Sequence, residues 1–403
     1  LPLRPRLLLR WLRWPPIARV LVVYALARVF SAVLLAEVAR FQVASEWTPT
    51  DAGYGDMLGL WDATWYQRIA TDGYPRSVPL GDAGDVQQSA LAFYPLAPLA
   101  ARLLMLLGLP FPWAGSIVSL ASGAAAAVGV HAVVLRALRE RTSPTVARRG
   151  AWSAAVLFCV GPTALVFQVP YTEGPALALL VVFLACLQRG RYLPAALVAL
   201  LLGLTRPVAV PLSVVVVVHL VVRARRGRRA GAVLGGREAL RCLGLLVASG
   251  TAGLLWPLLA WRITHRADAY TATMGAWRVG GEVEFLKPWW GISQYVLGTY
   301  LGPVLLVVAV VGYAAWMLSR RTVALGPELR AWCLAYVGYL LLVLDPFTSL
   351  FRYLIFLFPL GGLVARRPHG RPVLRAWVVS SLALQVVWVA WLWRFSPPAD
   401  WPP

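Results

Sequence analysis

Long apolar runs separated by short arginine-rich segments dominate this chain, and they constrain its fold more than any motif does. Residues 17–39, 113–136, 150–167, 172–188, 191–204, 206–223, 240–262, 291–318, 330–346, 351–366 and 373–395 are each mostly apolar. A spanning helix needs about 20 such residues, because backbone amides in hydrocarbon must be satisfied within the segment. Charged residues make up only 14% of the 403, far below the roughly one-quarter of a water-soluble domain. The expected fold class is an all-α polytopic membrane protein.

The basic excess is large, 38 lysines and arginines against 17 acids, but nucleic-acid binders carry such charge on polar surfaces. Here it lies between apolar runs, so nucleic acid is not an expected partner and membrane lipids are. Arginine placement also orients the chain. The stretch 91–109 is apolar but broken by Pro95 and Pro98 and carries Arg102. If it does not cross, the stretches 1–16, 136–149, 188–191, 223–241, 319–330 and 366–375 share one side, with 25 arginines against Glu140, Glu238 and Glu328. The opposite stretches 40–90, 264–290, 345–352 and 394–403 hold 12 acids. Positive residues stay cytoplasmic, so eleven crossings are expected, with the N-terminus inside and the C-terminus outside. Residues 91–109 then form a helix along the outer interface. The run 17–39 is too long for a signal-peptide core and is read as a retained first span. Residues 1–403 are read as one transmembrane domain, with 40–112 as its first outer loop.

The cysteines Cys159, Cys186, Cys242 and Cys333 lie inside apolar runs, and the histidines are scattered, so neither a disulfide framework nor a metal site is expected. The small-residue run Ala121–Gly129 reads as close helix packing. The basic segment Arg223–Arg229 reads as a topology anchor, with anionic-lipid binding the alternative.

Charges kept within or beside a membrane are functional candidates: Arg28, Glu37, Asp62, Arg102, Glu173, Arg206, Arg262, Asp345 and Arg352. Five of them (Asp62, Glu173, Arg206, Asp345 and Arg352) fall at outer ends of spans, from separate parts of the chain. In the first outer loop, Trp61, Trp65 and Ile69 recur every four residues, an apolar stripe for an interfacial helix that Gly73 and Pro75 would end. Asp62 in its first turn is held ionised by the helix dipole, as a general base must be; the alternative is a simple helix cap. Pro170 and Pro175 are expected to hold the backbone around Tyr171-Thr172-Glu173 non-helical, which at this depth requires a protein-lined cavity. Arg206 and Arg352 suit a phosphate, which a guanidinium grips bidentately; ion bridges to Glu173 or Asp345 are the alternative.

The segment Trp61-Asp62, Trp65-Tyr66, Ile69-Ala70, Gly73-Tyr74 resembles the PIG-V family, the mannosyltransferases that add the second mannose in GPI-anchor synthesis, and their bacterial relatives. Phe93-Tyr94-Pro95-Leu96, Tyr171-Thr172-Glu173, Arg206-Pro207 and Arg352-Tyr353 follow in similar order, so the resemblance spans essentially the whole chain. Thr172 departs from the family's serine. The resemblance implies a GT-C glycosyltransferase fold in a plasma membrane, with the site facing outward. It also implies a polyprenyl-phosphate-mannose donor, a glycolipid, glycan or protein acceptor, and no metal, nucleotide or other cofactor. The family's loop carboxylate maps to Asp62 as the catalytic base. Arg352 and Arg206 would bind the donor phosphate, and Trp61, Trp65, Tyr66, Tyr171, Glu173, Asp345 and Tyr353 are the expected substrate-binding residues. The competing reading is a secondary transporter or flippase of lipid-linked sugars. That reading calls for repeat symmetry and midplane charges, whereas no repeat is evident and the charges sit at the edge.

Overall fold

A computed structural model describes residues 14–45, 48–229, 235–278, 281, 284–366, 370–395 and 403. The arginines of segment 1–13, Glu46, Glu282, Arg367, His369 and Asp400 lie outside the described residues. Within them the secondary structure is helical, apart from one antiparallel bridge between Leu80 and Val86. Six helices are long and apolar enough to cross a membrane: Pro16–Ala39, Phe111–Arg139, Pro207–Arg229, Gly236–Thr264, Leu301–Leu318 and Gly370–Leu392. The protein is a multi-pass helical membrane protein.

The helices begin where the sequence can dispense with amide donors. Proline occupies the first turn of Pro16–Ala39, Phe111–Arg139 and Pro144–Val160, where the missing N–H would have no partner anyway. Phe111–Arg139 is the central element, packed on both Pro144–Val160 and Glu173–Gln188. Its small residues allow this, as the run Ala121–Gly129 leads one to expect. A Cβ on Gly174 would stand 2.8 Å from Ser122 Oγ and 2.9 Å from the Ser119 carbonyl oxygen, and one on Gly123 would meet the Tyr24 hydroxyl. Outward faces stay apolar, with Leu26, Val29 and Val33 on one helix and Val304, Val308 and Val311 on another exposed. Apolar exteriors suit a lipid environment rather than water.

Several segments differ from their expected form. Residues 291–318 are not one helix: Gly298, at φ 90°, separates Lys287–Leu297 from Leu301–Leu318, a conformation glycine adopts freely. Residues 150–167 are helical only to Val160, with the short 3-10 helix Ala164–Phe167 beyond. Residues 351–366 are a single α-turn, Leu350–Tyr353, followed by the 13-residue 3-10 helix Leu354–Arg366 with Pro359 inside. Such a helix rises about 2.0 Å per residue, so it reaches about 26 Å. Tyr192–Gly203 has 12 residues, about 18 Å, well short of a hydrocarbon layer of about 30 Å.

The problem stretch 91–109 holds one ten-residue helix, Leu96–Met105, about 15 Å long and too short to cross. Ala97, Pro98 and Ala101 are buried, while Leu99, Leu103 and Leu106 are exposed on the other side. Both sets of residues are apolar, so the exposed leucines suit contact with lipid.

Candidate active site

Four charged side chains from four separated segments meet in one cluster. Asp62 opens the helix Asp62–Thr71, Glu173 opens Glu173–Gln188, Arg206 precedes the 3-10 turn Pro207–Ala209, and Arg352 lies in Leu350–Tyr353. Arg352 Nη1 lies 2.5 Å from Asp62 Oδ2 and 3.3 Å from Glu173 Oε1, and Arg206 Nη1 lies 2.8 Å from the same Oε1. The Glu173 side chain is fully buried, whereas Asp62 keeps 18% of its surface. Asp62 is therefore the more accessible of the two carboxylates.

The non-helical segment between Val160 and Glu173 sets the position of that cluster. Backbone freed from a helix inside a bundle must find other partners, and side chains from three helices supply them. Ser116 Oγ donates to the Gln168 carbonyl at 2.6 Å, and Ser119 Oγ to that of Tyr171 at 3.1 Å. Gln385 Nε2 donates to Gly161 at 3.4 Å, and the Tyr24 hydroxyl to Phe167 at 3.4 Å. Arg28 donates to the Ala164 carbonyl and, at 2.8 Å, to that of Cys159. This buried arginine thus pairs with neighbouring backbone inside the bundle. Pro175 does not belong to the irregular stretch as expected. It is the third residue of the next helix, where its missing N–H removes no helical bond.

Asp62 is not the cap of its helix. That position belongs to Trp61, which makes no capping bond and stands at φ 60°, ψ −127°. A bulky residue at positive φ is a strained outlier, and such strain collects at functional sites. Trp61 therefore leaves the expected stripe and packs edge-on against Phe395, with centroids 6.1 Å apart. The buried face of the helix is Ala63, Tyr66, Ile69 and Ala70. Trp65 instead stacks on Phe93 at 5.7 Å and meets the edge of Trp277 at 5.4 Å.

Tyrosines and Thr172 line the charge cluster. Arg206 Nη1 donates to Thr172 Oγ1 at 2.9 Å, and that oxygen is 3.2 Å from the Tyr66 hydroxyl. Burial, and then the Asp62 carboxylate, push the Tyr66 phenol well above its usual range, so it remains a neutral hydroxyl. The Arg206 guanidinium lies 4.6 Å from the Tyr353 ring centre, and that of Arg352 lies 5.2 Å from the Tyr171 ring. Cation–π contact of this kind helps hold buried guanidiniums in place. Nε of Arg206, Nε of Arg352 and Oε2 of Glu173 are buried without hydrogen-bond partners among the described residues.

Other candidates lie elsewhere. Asp345 is exposed in the loop after Gly326–Val343 and joins none of these ion pairs. Glu37 pairs at the surface with Arg40 at 3.2 Å, and Arg102 and Arg262 are exposed. Among the described residues no three His, Cys, Asp or Glu side chains gather in a way that would hold a metal ion. Thr172 and Phe93, which the sequence marks only as members of longer motifs, join the site as a hydrogen-bonding hydroxyl and a stacked ring, and Trp277, which no motif marks, joins them. No protein-family model matches the chain, and no curated protein is similar to it.

Proposed function

We propose that the protein is an inverting glycosyltransferase of GT-C architecture, with eleven crossings. In this reading it transfers mannose from a polyprenyl-phosphate-mannose donor to a hydroxyl of a glycolipid, glycan or protein at the outer face of a bacterial plasma membrane. One observation carries the reading: two guanidiniums, Arg206 and Arg352, stand beside the more accessible carboxylate, Asp62. Guanidiniums fit phosphate oxygens, and the carboxylate fits the proton of an attacking hydroxyl.

The chemistry balances at that cluster. Asp62 takes the acceptor proton as the acceptor oxygen forms its bond to sugar C1, and the bond from C1 to the phosphate oxygen breaks. One displacement inverts the anomeric centre, so a β-linked donor gives an α-glycoside. The negative charge lost from Asp62 on protonation reappears on the leaving phosphate. Arg352, which contacts Asp62, and Arg206 act on that developing charge, an effect that a buried, preorganised site strengthens. Tyr66 orients sugar or acceptor hydroxyls, and Glu173, buried behind the cluster, holds Arg206 and Arg352 in place.

The test is transfer of radiolabel from polyprenyl-phosphate-mannose by the purified protein, with a lipid extract of its host as acceptor, wild type beside Asp62→Asn. Labelled product from wild type alone is the expected result. Product from both removes Asp62 as base, and the absence of both transfer and donor binding overturns the glycosyltransferase reading.

A further inference from the structure

A second charged feature lies at the far end of the same bundle and plays no part in the proposed reaction. At the C-terminal end of the helix Glu173–Gln188, about 22 Å along its axis from Glu173, the helix ends line a half-open cavity of about 820 Å³. Six arginines line it: Arg136, Arg141, Arg189, Arg223, Arg226 and Arg228. They come from the ends of three helices, Phe111–Arg139, Glu173–Gln188 and Leu212–Arg229, and the turns beyond them.

The acids in the cavity are already engaged. Glu140 pairs with Arg141 at 2.9 Å, Glu238 with Arg223, and Glu328 with His219 Nδ1 at 2.8 Å. The Arg189 guanidinium donates to the Ala185 carbonyl one turn back, at 3.2 Å, and makes no ion pair among the described residues. Arg136, Arg226 and Arg228 have no ion pair among the described residues. Ala137, Leu187, Val222 and Ala224 lie among the charged groups of the lining, and low-dielectric walls of this kind concentrate the field of neighbouring charges.

Orientation by positive charge requires arginines near the ends of spans. It does not require them to converge on one concave space, where like charges repel. We propose that this cavity binds a phosphate-bearing anion, a diphosphate or phosphomonoester, gripped by Arg136, Arg226 and Arg228. The group is either a soluble phosphate compound or the head of an anionic lipid, both of which basic pockets between membrane helices accommodate. The inference stands whether or not the first site transfers sugar.

The test uses the full chain in phosphatidylcholine nanodiscs and reads thermal unfolding. One arm titrates inorganic pyrophosphate, and the other dopes the nanodisc with phosphatidic acid. A ligand that binds only the folded protein raises Tm, and a saturable rise of about 2 °C or more is expected with one probe or both. A response to pyrophosphate assigns a soluble ligand, and a response to phosphatidic acid alone assigns a lipid head group. The rise should vanish in Arg136→Gln/Arg226→Gln/Arg228→Gln and persist in Arg148→Gln/Arg149→Gln/Arg320→Gln, whose arginines lie outside the cavity. No rise in wild type, an unchanged rise in the cavity variant, or loss in both triple variants would overturn the proposal. If the cavity triple variant does not purify, Arg226→Gln replaces it. A several-fold weaker midpoint is then expected, and an unchanged midpoint overturns the proposal.

Discussion

Arg352 and Asp62, 290 residues apart in the chain, meet with 2.5 Å between Nη1 and Oδ2. The same Nη1 reaches Glu173 Oε1 at 3.3 Å, so one guanidinium joins the helix Asp62–Thr71 to the helix Glu173–Gln188. Two carboxylates and two guanidiniums balance in charge there. Buried ion networks are weak evidence for stability but strong candidates for function, because removing the water from four charges is costly.

Asp62→Asn and Arg352→Lys should fail in different ways. Without its base, Asp62→Asn should lose about 10²–10⁴-fold in kcat while still binding donor. Arg352→Lys keeps the charge and loses the planar fork, so the donor KM should rise about tenfold with a smaller change in kcat. Steady-state kinetics with varied donor separates the two, and identical profiles would dissolve the division of roles.

Glu173→Gln should destabilise the fold by about 3–5 kcal/mol, the usual consequence of breaking a buried pair from one side. Arg206 then keeps its contact with Thr172 but faces no charge at Oε1. The double variant Glu173→Gln/Arg206→Met should be more stable than the sum of the two single variants, because the unpaired charge is gone. Thermal unfolding of all four proteins in one detergent measures the coupling. Strict additivity would show that the pair does not interact.

At Trp61 the backbone should reverse the usual order of small residues. Alanine normally stabilises relative to glycine by narrowing the unfolded ensemble. At φ 60°, ψ −127° a Cβ is strained, so Trp61→Gly should be about 1 kcal/mol more stable than Trp61→Ala. Both lose the contact with Phe395, which makes the comparison one of backbone alone. Equal unfolding midpoints would remove the strain.

Cysteine labelling tests the orientation. Cys159, Cys242 and Cys333 are buried, so a Cys186→Ala background should label weakly. Asp72→Cys, on an exposed site after the outer-loop helix, should react with a membrane-impermeant thiol reagent added to intact cells. Arg139→Cys should react only after the membrane is opened. Labelling of Arg139→Cys from outside would invert every loop from residue 136 onward.

Much of the helical layout was legible in the chain. Apolar length marks segments such as Pro16–Ala39 and Phe111–Arg139 directly, because the requirement for internally satisfied amides acts on contiguous residues. The breaks were less legible. Gly298 and Pro359 stand at or within those breaks, but membrane helices tolerate glycine and proline, so 291–318 and 351–366 look continuous in sequence. The Trp61 stripe misled for a related reason: periodicity assumes a helical backbone through the first residue, and Trp61 leaves it.

The sequence by itself determined that this is a helical membrane protein, and it singled out Asp62, Glu173, Arg206 and Arg352, because a charge beside hydrocarbon is expensive enough to be conspicuous wherever it stands. Tertiary structure decided that these four meet while Asp345 stays apart. It also set Thr172 between Arg206 and Tyr66 and gathered six arginines around one cavity. Those are contacts between residues tens to hundreds of positions apart. They depend on which segments pack together: the irregular segment before Glu173, for one, is held by Ser116, Ser119, Arg28 and Gln385, and no local pattern encodes that.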